Sequence, residues 1–188
     1  MASKNVPRTL LIIDIQRDYF SGGAYPLVEP EAAAEAARRV LDSFRDAGDP
    51  VIHVKHVWDA PDAEFMRPGT EGIEIHPTVA PAEGELVLEK TSPNSFIETP
   101  LEEELKQRDP DELVVAGMMS SMCVDATVRA AADLGFSPTV VHDACAAPDL
   151  EFNGVDVPGA AVHAAFMAAL ADYAELTSAA ELLANDTG

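Results

Sequence analysis

Short apolar runs alternate with helix-like patterns along most of the chain. Several runs show little of the strict apolar–polar alternation that marks a strand exposed on one face. Short continuous apolar runs are typical of parallel strands that are buried on both faces. The predicted strands cover residues 9–13, 51–57, 86–88, 113–116 and 139–141, with a short edge strand at 174–177.

The clearest helical pattern covers residues 30–47, where apolar residues fall on one face and charged residues on the other. Pro30 suits the first turn of this helix, and Gly48 suits the position just after its last turn. Similar patterns follow most of the other runs, including an alanine-rich one at residues 160–171. Strands that alternate with helices predict a parallel sheet covered by helices.

The predicted fold is therefore α/β, a doubly wound and mostly parallel sheet of five to six strands with helices on both faces. This is a Rossmann-like, three-layer arrangement. A length of 188 residues suits one hydrophobic core, so we expect a single domain over residues 1–188.

A long segment at residues 59–81 contains several prolines and shows no helical or strand period. Loops of this length in a compact domain usually have a function, for example as a lid over a ligand. The alternative is a surface excursion packed by its own apolar residues. A second, shorter loop is predicted at residues 148–158.

The charge of the chain limits its partners. A net charge of -21 argues against nucleic acid and against anionic membranes as partners, but it does not identify a substrate. No apolar stretch has the length of a signal sequence or of a membrane span. Two cysteines do not make a disulfide framework in a chain of this size, so we expect a reducing, cytoplasmic location.

Three chemically active residues follow three of the predicted strands: Asp14, Lys90 and Cys123. The carboxyl ends of central parallel strands meet at one edge of the sheet, so these side chains form one candidate site. A thiol can attack an electrophilic carbon while a carboxylate accepts and returns its proton. Lys90 would hold Asp14 and lower the pKa of the thiol, as would the helix that begins near Cys123.

Simpler interpretations of these residues stay open. Cys123 could be a small buried hydrophobic residue at the start of a helix, or a redox sensor with Cys145 as its partner. Asp14 could cap a turn. The agreement of three strand ends favours the catalytic interpretation over these alternatives.

Three segments of the chain resemble the isochorismatase-like cysteine hydrolases, a superfamily that includes nicotinamidases, N-carbamoylsarcosine amidases, ureidoacrylate amidohydrolases and streptothricin hydrolases. The matching segments are LLIIDIQRDYF at 10–20, LVLEKTSPNSFIETPL at 86–101 and VVAGMMSSMCVDATVRAAADLGF at 114–136. They contain Asp14, Lys90 and Cys123 in the order that the family has.

The resemblance implies an Asp14–Lys90–Cys123 catalytic triad and a cis peptide bond between Met118 and Met119. It also implies that the N–H groups of Met119 and Cys123 form the oxyanion hole. Because Cys123 can act as a nucleophile, we favour its attack on an amide, ureido or lactam-like C–N bond. This attack would form a covalent thioester. The alternatives are an isochorismatase-type ether hydrolase, and a non-catalytic module that binds a metabolite on the same fold.

Nicotinamidases of this superfamily hold a divalent ion with an aspartate and two histidines beyond the second strand. This chain has His53, His56, Asp59 and His76 in that region but lacks the Asp-x-His motif. His53 and His56 are separated by an odd number of strand positions, so they point to opposite faces. We therefore expect no metal and no other cofactor, and a structural or pocket role for these histidines.

The substrate-binding residues expected beside the triad are Gln16, Phe20, Trp58 and Phe96. The resemblance further implies a homo-oligomer, either a dimer or a tetramer. Small residues allow close helix packing, so the alanine-rich helix at 160–171 is the expected interface.

Overall fold

Six parallel strands form the central sheet. The structure is a computed structural model that describes residues 7–186. The strands of this sheet are β1 (Arg8–Ile13), β2 (Val51–His56), β3 (Leu86–Lys90), β4 (Glu112–Met118), β5 (Pro138–Ala146) and β8 (Glu175–Thr177). Their order across the sheet is β3–β2–β1–β4–β5–β8. The predicted fold class is confirmed.

Helices cover both faces of the sheet. The helices are α1 (Pro30–Ala47), α2 (Leu101–Arg108), α3 (Asp125–Asp133), α4 (Gly159–Leu170) and α5 (Ala179–Asp186). Helices α1 and α5 pack into the hydrophobic core on one face, and α2, α3 and α4 pack into the core on the other. The first helix begins and ends where the sequence predicts, with Pro30 in its first turn and Gly48 in a left-handed conformation at its end.

Strand β1 lies in the middle of the sheet and contributes to both cores. Leu10 and Ile12 pack against the α1 side, whereas Leu11 and Ile13 pack against the α2–α4 side. All four are at most 2% exposed. Burial on both faces is the physical reason why this strand is a continuous apolar run in the sequence.

The strand order reverses at β1. From β1 the chain proceeds to β2 and β3 on one side, and then crosses to β4, β5 and β8 on the other. In open parallel sheets, ligands bind outside the carboxyl ends of the strands at such a reversal point. Asp14 directly follows β1, at this point of the fold.

Strand β5 is longer than the sequence predicts, which is a correction to the interpretation of residues 139–141. Its pairing with β4 shifts register: Val115 pairs with Val140, but Gly117 pairs with Cys145. The extra residues form an irregularity that interrupts the apolar run without ending the strand. The segment predicted as a loop at 148–158 likewise contains a short antiparallel hairpin of β6 (Leu150–Phe152) and β7 (Val155–Val157).

The excursion at residues 59–81 is tied to the end of β1. Gln16 and Ile75 form an isolated β-bridge, and the N–H of His76 donates to the carbonyl of Ile15 at 2.8 Å. Two 3₁₀ turns, Glu71–Ile73 and Pro77–Val79, shape its second half. The segment is therefore packed beside the reversal point of the sheet.

Two surface properties bear on the partners of the chain. Among the described helices, none has both the length and the apolar composition that crossing a bilayer requires. Helix α4 contains no charged residue, and most of its alanines are exposed. The homo-oligomer interface expected on this helix stays a prediction.

Candidate active site

The side chains of Asp14, Lys90 and Cys123 meet at the carboxyl edge of the sheet. The Nζ of Lys90 lies 2.7 Å from Oδ2 of Asp14 and 3.2 Å from Sγ of Cys123. The three residues are 0%, 2% and 4% exposed, respectively. The structure thus brings together the three residues that the sequence predicts for the triad.

Each member is held by a different local structure. Asp14 follows β1 in a left-handed conformation with φ of 50°, and Lys90 is the last residue of β3. Cys123 lies in a π-helical turn, Ser120–Val124, between β4 and α3. Such turns in helices are frequent at functional sites because they displace side chains from the regular helical positions.

Gly117 allows β4 to approach the end of β1. Its φ is 152°, and a Cβ atom there would lie 2.2 Å from the carbonyl oxygen of Ile13. No other residue type fits this position without moving the backbone. The next peptide bond, Met118–Met119, is cis.

The carbonyl group of Met119 organises the backbone hydrogen bonds of the turn that follows it. The carbonyl of Met119 accepts hydrogen bonds from the N–H of Met122 at 3.1 Å and of Val124 at 3.2 Å. Neither bond uses the amide of Cys123. This arrangement is compatible with an oxyanion hole formed by the amides of Met119 and Cys123, which stays a prediction.

Lys90 has more acceptors than it has protons to donate. Besides Asp14 and Cys123, its Nζ contacts Nδ1 of His56 at 2.9 Å and the carbonyl oxygen of Ser92 at 3.0 Å. Burial opposes a charge on this amine, but the neighbouring Asp14 and Cys123 raise the pKa of Lys90 above its ordinary value. The side chain is therefore an ammonium ion with three N–H donors among four acceptors.

The pKa of Cys123 differs in direction from the sequence-based expectation. Burial, followed by the negative charge of Asp14, raises the pKa of the thiol, and the opposing effect of Lys90 is smaller. The expectation of a lowered pKa was wrong because the turn encloses the sulfur almost completely. The resting thiol is protonated at neutral pH.

Two further residues lie near the triad: Tyr19, which was not predicted as a site residue, and His56, for which only a structural or pocket role was predicted. His56 is the last residue of β2 and the register partner of Lys90 on β3. Tyr19 lies in the 3₁₀ turn Arg17–Tyr19, and burial together with nearby Cys123 and Asp14 raises the pKa of its phenol. Tyr19 directly precedes Phe20 in the segment 10–20 that resembles the family. Its position in that segment could therefore have indicated it, whereas a tyrosine alone does not indicate a functional site.

Gln16 is fully engaged by the backbone. Its Nε2 donates to the carbonyl oxygens of His56 at 2.9 Å and of Ile73 at 2.7 Å, and its Oε1 accepts from the N–H of His56 at 2.8 Å. Both donors of this buried amide are used, so we no longer expect it to bind substrate directly. Gln16 fixes the end of β2 and the excursion relative to Asp14.

The three predicted aromatic residues lie in different surroundings. Phe20 stacks on His76 at 3.8 Å and lines an open cavity of about 660 Å³, together with Phe65 of the excursion. Trp58 packs edge-on against Phe65 at 5.3 Å. Phe96 stacks on Phe136 at 6.1 Å and packs against the core cluster that contains Cys123. Their contact with a substrate stays a prediction.

The residues at the site do not fit a metal ion. Ligand atoms of Asp14, His56 and Cys123 lie within 4.8 Å of one another, but the ammonium of Lys90 contacts all three side chains. A cation would have to displace that charge. His53 is fully buried, with Nε2 2.8 Å from Glu85, as expected for a structural histidine.

Comparison with known proteins agrees with this fold. The Isochorismatase domain family matches residues 8–181. The chain is 50% identical over 161 residues to the uncharacterized isochorismatase family protein YddQ of Bacillus subtilis, covering 86% of this chain and 89% of that protein. It is 34% identical over 149 residues to the maleamate amidohydrolase of Pseudomonas putida, covering 71% of this chain and 70% of that enzyme.

A solved structure of a similar protein has the same fold. A crystal structure from Oleispira antarctica, assigned to the isochorismatase hydrolases, superposes with a TM-score of 0.91 at 49% identity and covers 98% of this chain and 99% of that one. The family match extends over most of the chain, so the resemblance drawn from the three motifs is confirmed. The chain belongs to the isochorismatase family of hydrolases.

Proposed function

We propose that this hydrolase cleaves an amide, ureido or lactam-like C–N bond of a small molecule through a covalent thioester on Cys123. The observation that carries the proposal is the contact of one buried ammonium, Lys90, with both a carboxylate and a thiol. A carboxylate beside a thiol can exchange a proton with it, and an ammonium can stabilise whichever of the two carries the negative charge.

Asp14 acts as the general base in the first step. Because the thiol of Cys123 is protonated in the resting site, its proton moves to the carboxylate of Asp14 as sulfur attacks the carbonyl carbon. The thiol of Cys123 and the carboxylate of Asp14 interact directly, which supports transfer of the proton between them. Lys90 stabilises the charge that develops on sulfur.

The attack forms an S–C bond and places a negative charge on the carbonyl oxygen. The N–H groups of Met119 and Cys123 would stabilise this oxyanion, at about 3 kcal/mol for each donor. Asp14 then gives its proton to the leaving nitrogen. The C–N bond breaks, and ammonia or an amine leaves the thioester behind.

Water completes the reaction. It loses a proton to Asp14 as its oxygen attacks the thioester carbon, and the C–S bond breaks to give a carboxylic acid. The sulfur of Cys123 then takes the proton back from Asp14. The net change is an amide and water converted to an acid and an amine.

Relatives support cleavage of a C–N bond. Maleamate amidohydrolase, 34% identical to this chain, is named for amide hydrolysis, and the relatives also include a nicotinamidase at 27% identity. Both names describe small substrates with an amide group. We therefore propose small amides, N-carbamoyl compounds and cyclic amides as the substrate class.

The test measures ammonia or amine release from a panel of maleamate, nicotinamide, N-carbamoyl amino acids, ureidoacrylate and cyclic amides. We expect turnover of at least one compound, its loss in Cys123→Ala, and an acyl mass increase on Cys123 when the reaction is acid-quenched. The matched control is Cys145→Ala, because Cys145 is the other free, buried cysteine and has no part in the proposed reaction. Turnover that survives Cys123→Ala would contradict the proposal.

A further inference from the structure

We propose that His56 has two functions at this site: one ring nitrogen positions Lys90, and the other donates a hydrogen bond to the substrate. The inference rests on the proposed function, which it deepens by naming a property of the substrate. That property is a hydrogen-bond acceptor, such as a carbonyl, carboxylate or ring nitrogen, next to the C–N bond that is cleaved.

The contact with Lys90 determines which nitrogen of His56 carries the proton. An ammonium has no lone pair, so Nδ1 of His56, 2.9 Å away, must be the acceptor. Burial, followed by the charge of Lys90, lowers the pKa of His56, which agrees with a neutral ring. A neutral imidazole that accepts at Nδ1 carries its hydrogen at Nε2.

The same contact limits how Lys90 can act. Its ammonium has three N–H groups, and the fixed, unreactive acceptors His56 Nδ1 and Ser92 O can take two of them. The third N–H then faces Asp14 Oδ2 at 2.7 Å and Cys123 Sγ at 3.2 Å. It can follow the negative charge from the carboxylate to the sulfur when the proton moves in the opposite direction.

The backbone of His56 is held independently of its ring. Gln16 binds both the N–H and the carbonyl of His56, at 2.8 and 2.9 Å. Pairing of β2 with β3 places His56 directly beside Lys90. These contacts do not involve the imidazole, so a substitution at position 56 keeps the surrounding backbone bonds.

The other ring nitrogen, Nε2, is not among the buried polar atoms of the described residues that lack a partner. No described residue forms a hydrogen bond with Nε2 of His56, and the side chain is half-buried, whereas the triad is nearly enclosed. A molecule bound beside this half-buried ring would meet an N–H donor next to Lys90. A substrate with an acceptor at that point satisfies the donor, and one without an acceptor leaves it unpaired.

The first experiment does not depend on activity. Long-range ¹H–¹⁵N correlation spectra of the histidine rings, with His56 assigned by its absence in His56→Asn, report the protonation state of each nitrogen. We expect a neutral ring protonated at Nε2 at neutral pH, and loss of this preference in Lys90→Met. A ring protonated at Nδ1, or at both nitrogens, would overturn the inference.

The second experiment separates the two functions with two amides. Asparagine places an acceptor near Nδ1 but no donor near Nε2, whereas glutamine places a donor near Nε2 but no acceptor near Nδ1. With a panel compound that is hydrolysed, we expect His56→Asn to raise KM about tenfold and His56→Gln to lower kcat about tenfold, each from the loss of one hydrogen bond. Circular dichroism confirms that both variants are folded.

The matched control is His142→Gln, a half-buried histidine on β5 with no part in the proposed reaction. Equal effects of asparagine and glutamine on KM and kcat, or changes below twofold in both variants, would overturn the inference. If the wild type hydrolyses no panel compound and Cys123 is not acylated, the proposed function fails instead. The nitrogen spectra still decide the state of His56 in that case.

Discussion

Nζ of Lys90 lies 2.7 Å from Oδ2 of Asp14, and neither side chain is exposed to solvent. Removing one partner of such a pair leaves the other charge buried without compensation, which costs about 3–5 kcal/mol. We expect Lys90→Met to lower the free energy of unfolding by about that amount, measured by urea denaturation.

A surface pair provides the control for this substitution. Lys106 forms an i,i+4 ion pair with Glu102, and its side chain is 62% exposed. Exposed pairs of this kind contribute about 0.2–1 kcal/mol. Comparable losses in Lys90→Met and Lys106→Met would show that the buried pair has no special part in stability.

Asp14→Asn should change alkylation and hydrolysis in opposite directions. The negative charge of Asp14 helps to raise the pKa of Cys123, so its removal lowers that pKa and increases the thiolate fraction at a given pH. Labelling by iodoacetamide should accelerate about tenfold for each unit by which the pKa falls. Hydrolysis should fall by a factor of about 10²–10⁴ because the general base is lost.

The thiol of Cys145 must be removed before labelling of Cys123 is compared between the two proteins. Burial raises its pKa to about 12, but labelling at high pH could still include it. A Cys145→Ala background leaves Cys123 as the thiol that is measured by intact mass. Slower labelling in Asp14→Asn than in the parent protein would show that Asp14 does not raise the pKa of Cys123.

The positions of Asp14, Lys90 and Cys123 were predictable because a topological rule applies to them. Each lies at or after the end of a recognisable strand, and parallel strands bring their carboxyl ends to one edge of the sheet. The rule does not depend on strand order: it holds for Lys90 although β3 is the edge strand of the sheet and not a central strand as predicted. The triad could therefore be assembled from the sequence before any distance was known.

The function of His56 could not be predicted in the same way. It depends on the register of β2 against β3, in which His56 pairs with Lys90. Register is decided by the packing of both strands against their cores and not by the residues at their ends. The pKa of Cys123 was mispredicted for a related reason, since burial is a property of the complete fold.

Glu85 should make the protein sensitive to acid. It accepts two hydrogen bonds from Arg45, at 2.7 and 2.8 Å, and these bonds are the main reason that its pKa falls from 4.5 to about 2. A lowered pKa in the folded state stabilises the fold above pH 4.5, and this contribution is lost as the pH falls towards 2. It amounts to about 2–3 kcal/mol.

Urea denaturation between pH 6 and pH 3 measures this contribution. Glu85→Gln should be less stable than the wild type at pH 6, and the difference should shrink as the pH falls. Glu83→Gln serves as the control because Glu83 is exposed and lies close in sequence. A difference between Glu85→Gln and wild type that stays constant with pH would argue against the assignment.

Gly117→Ala should disrupt both the fold and the site. The added Cβ would lie 2.2 Å from the carbonyl oxygen of Ile13, so β4 would have to move away from the end of β1 and carry the Cys123 turn with it. We expect a loss of more than about 3 kcal/mol in urea denaturation and a loss of turnover in any folded fraction. Gly135→Ala is the control, since Gly135 also has a positive φ, 89°, but nothing within 4 Å of the new atom. It should cost about 1–2 kcal/mol, and equal losses at the two glycines would mean that the approach of β4 to Ile13 is unimportant.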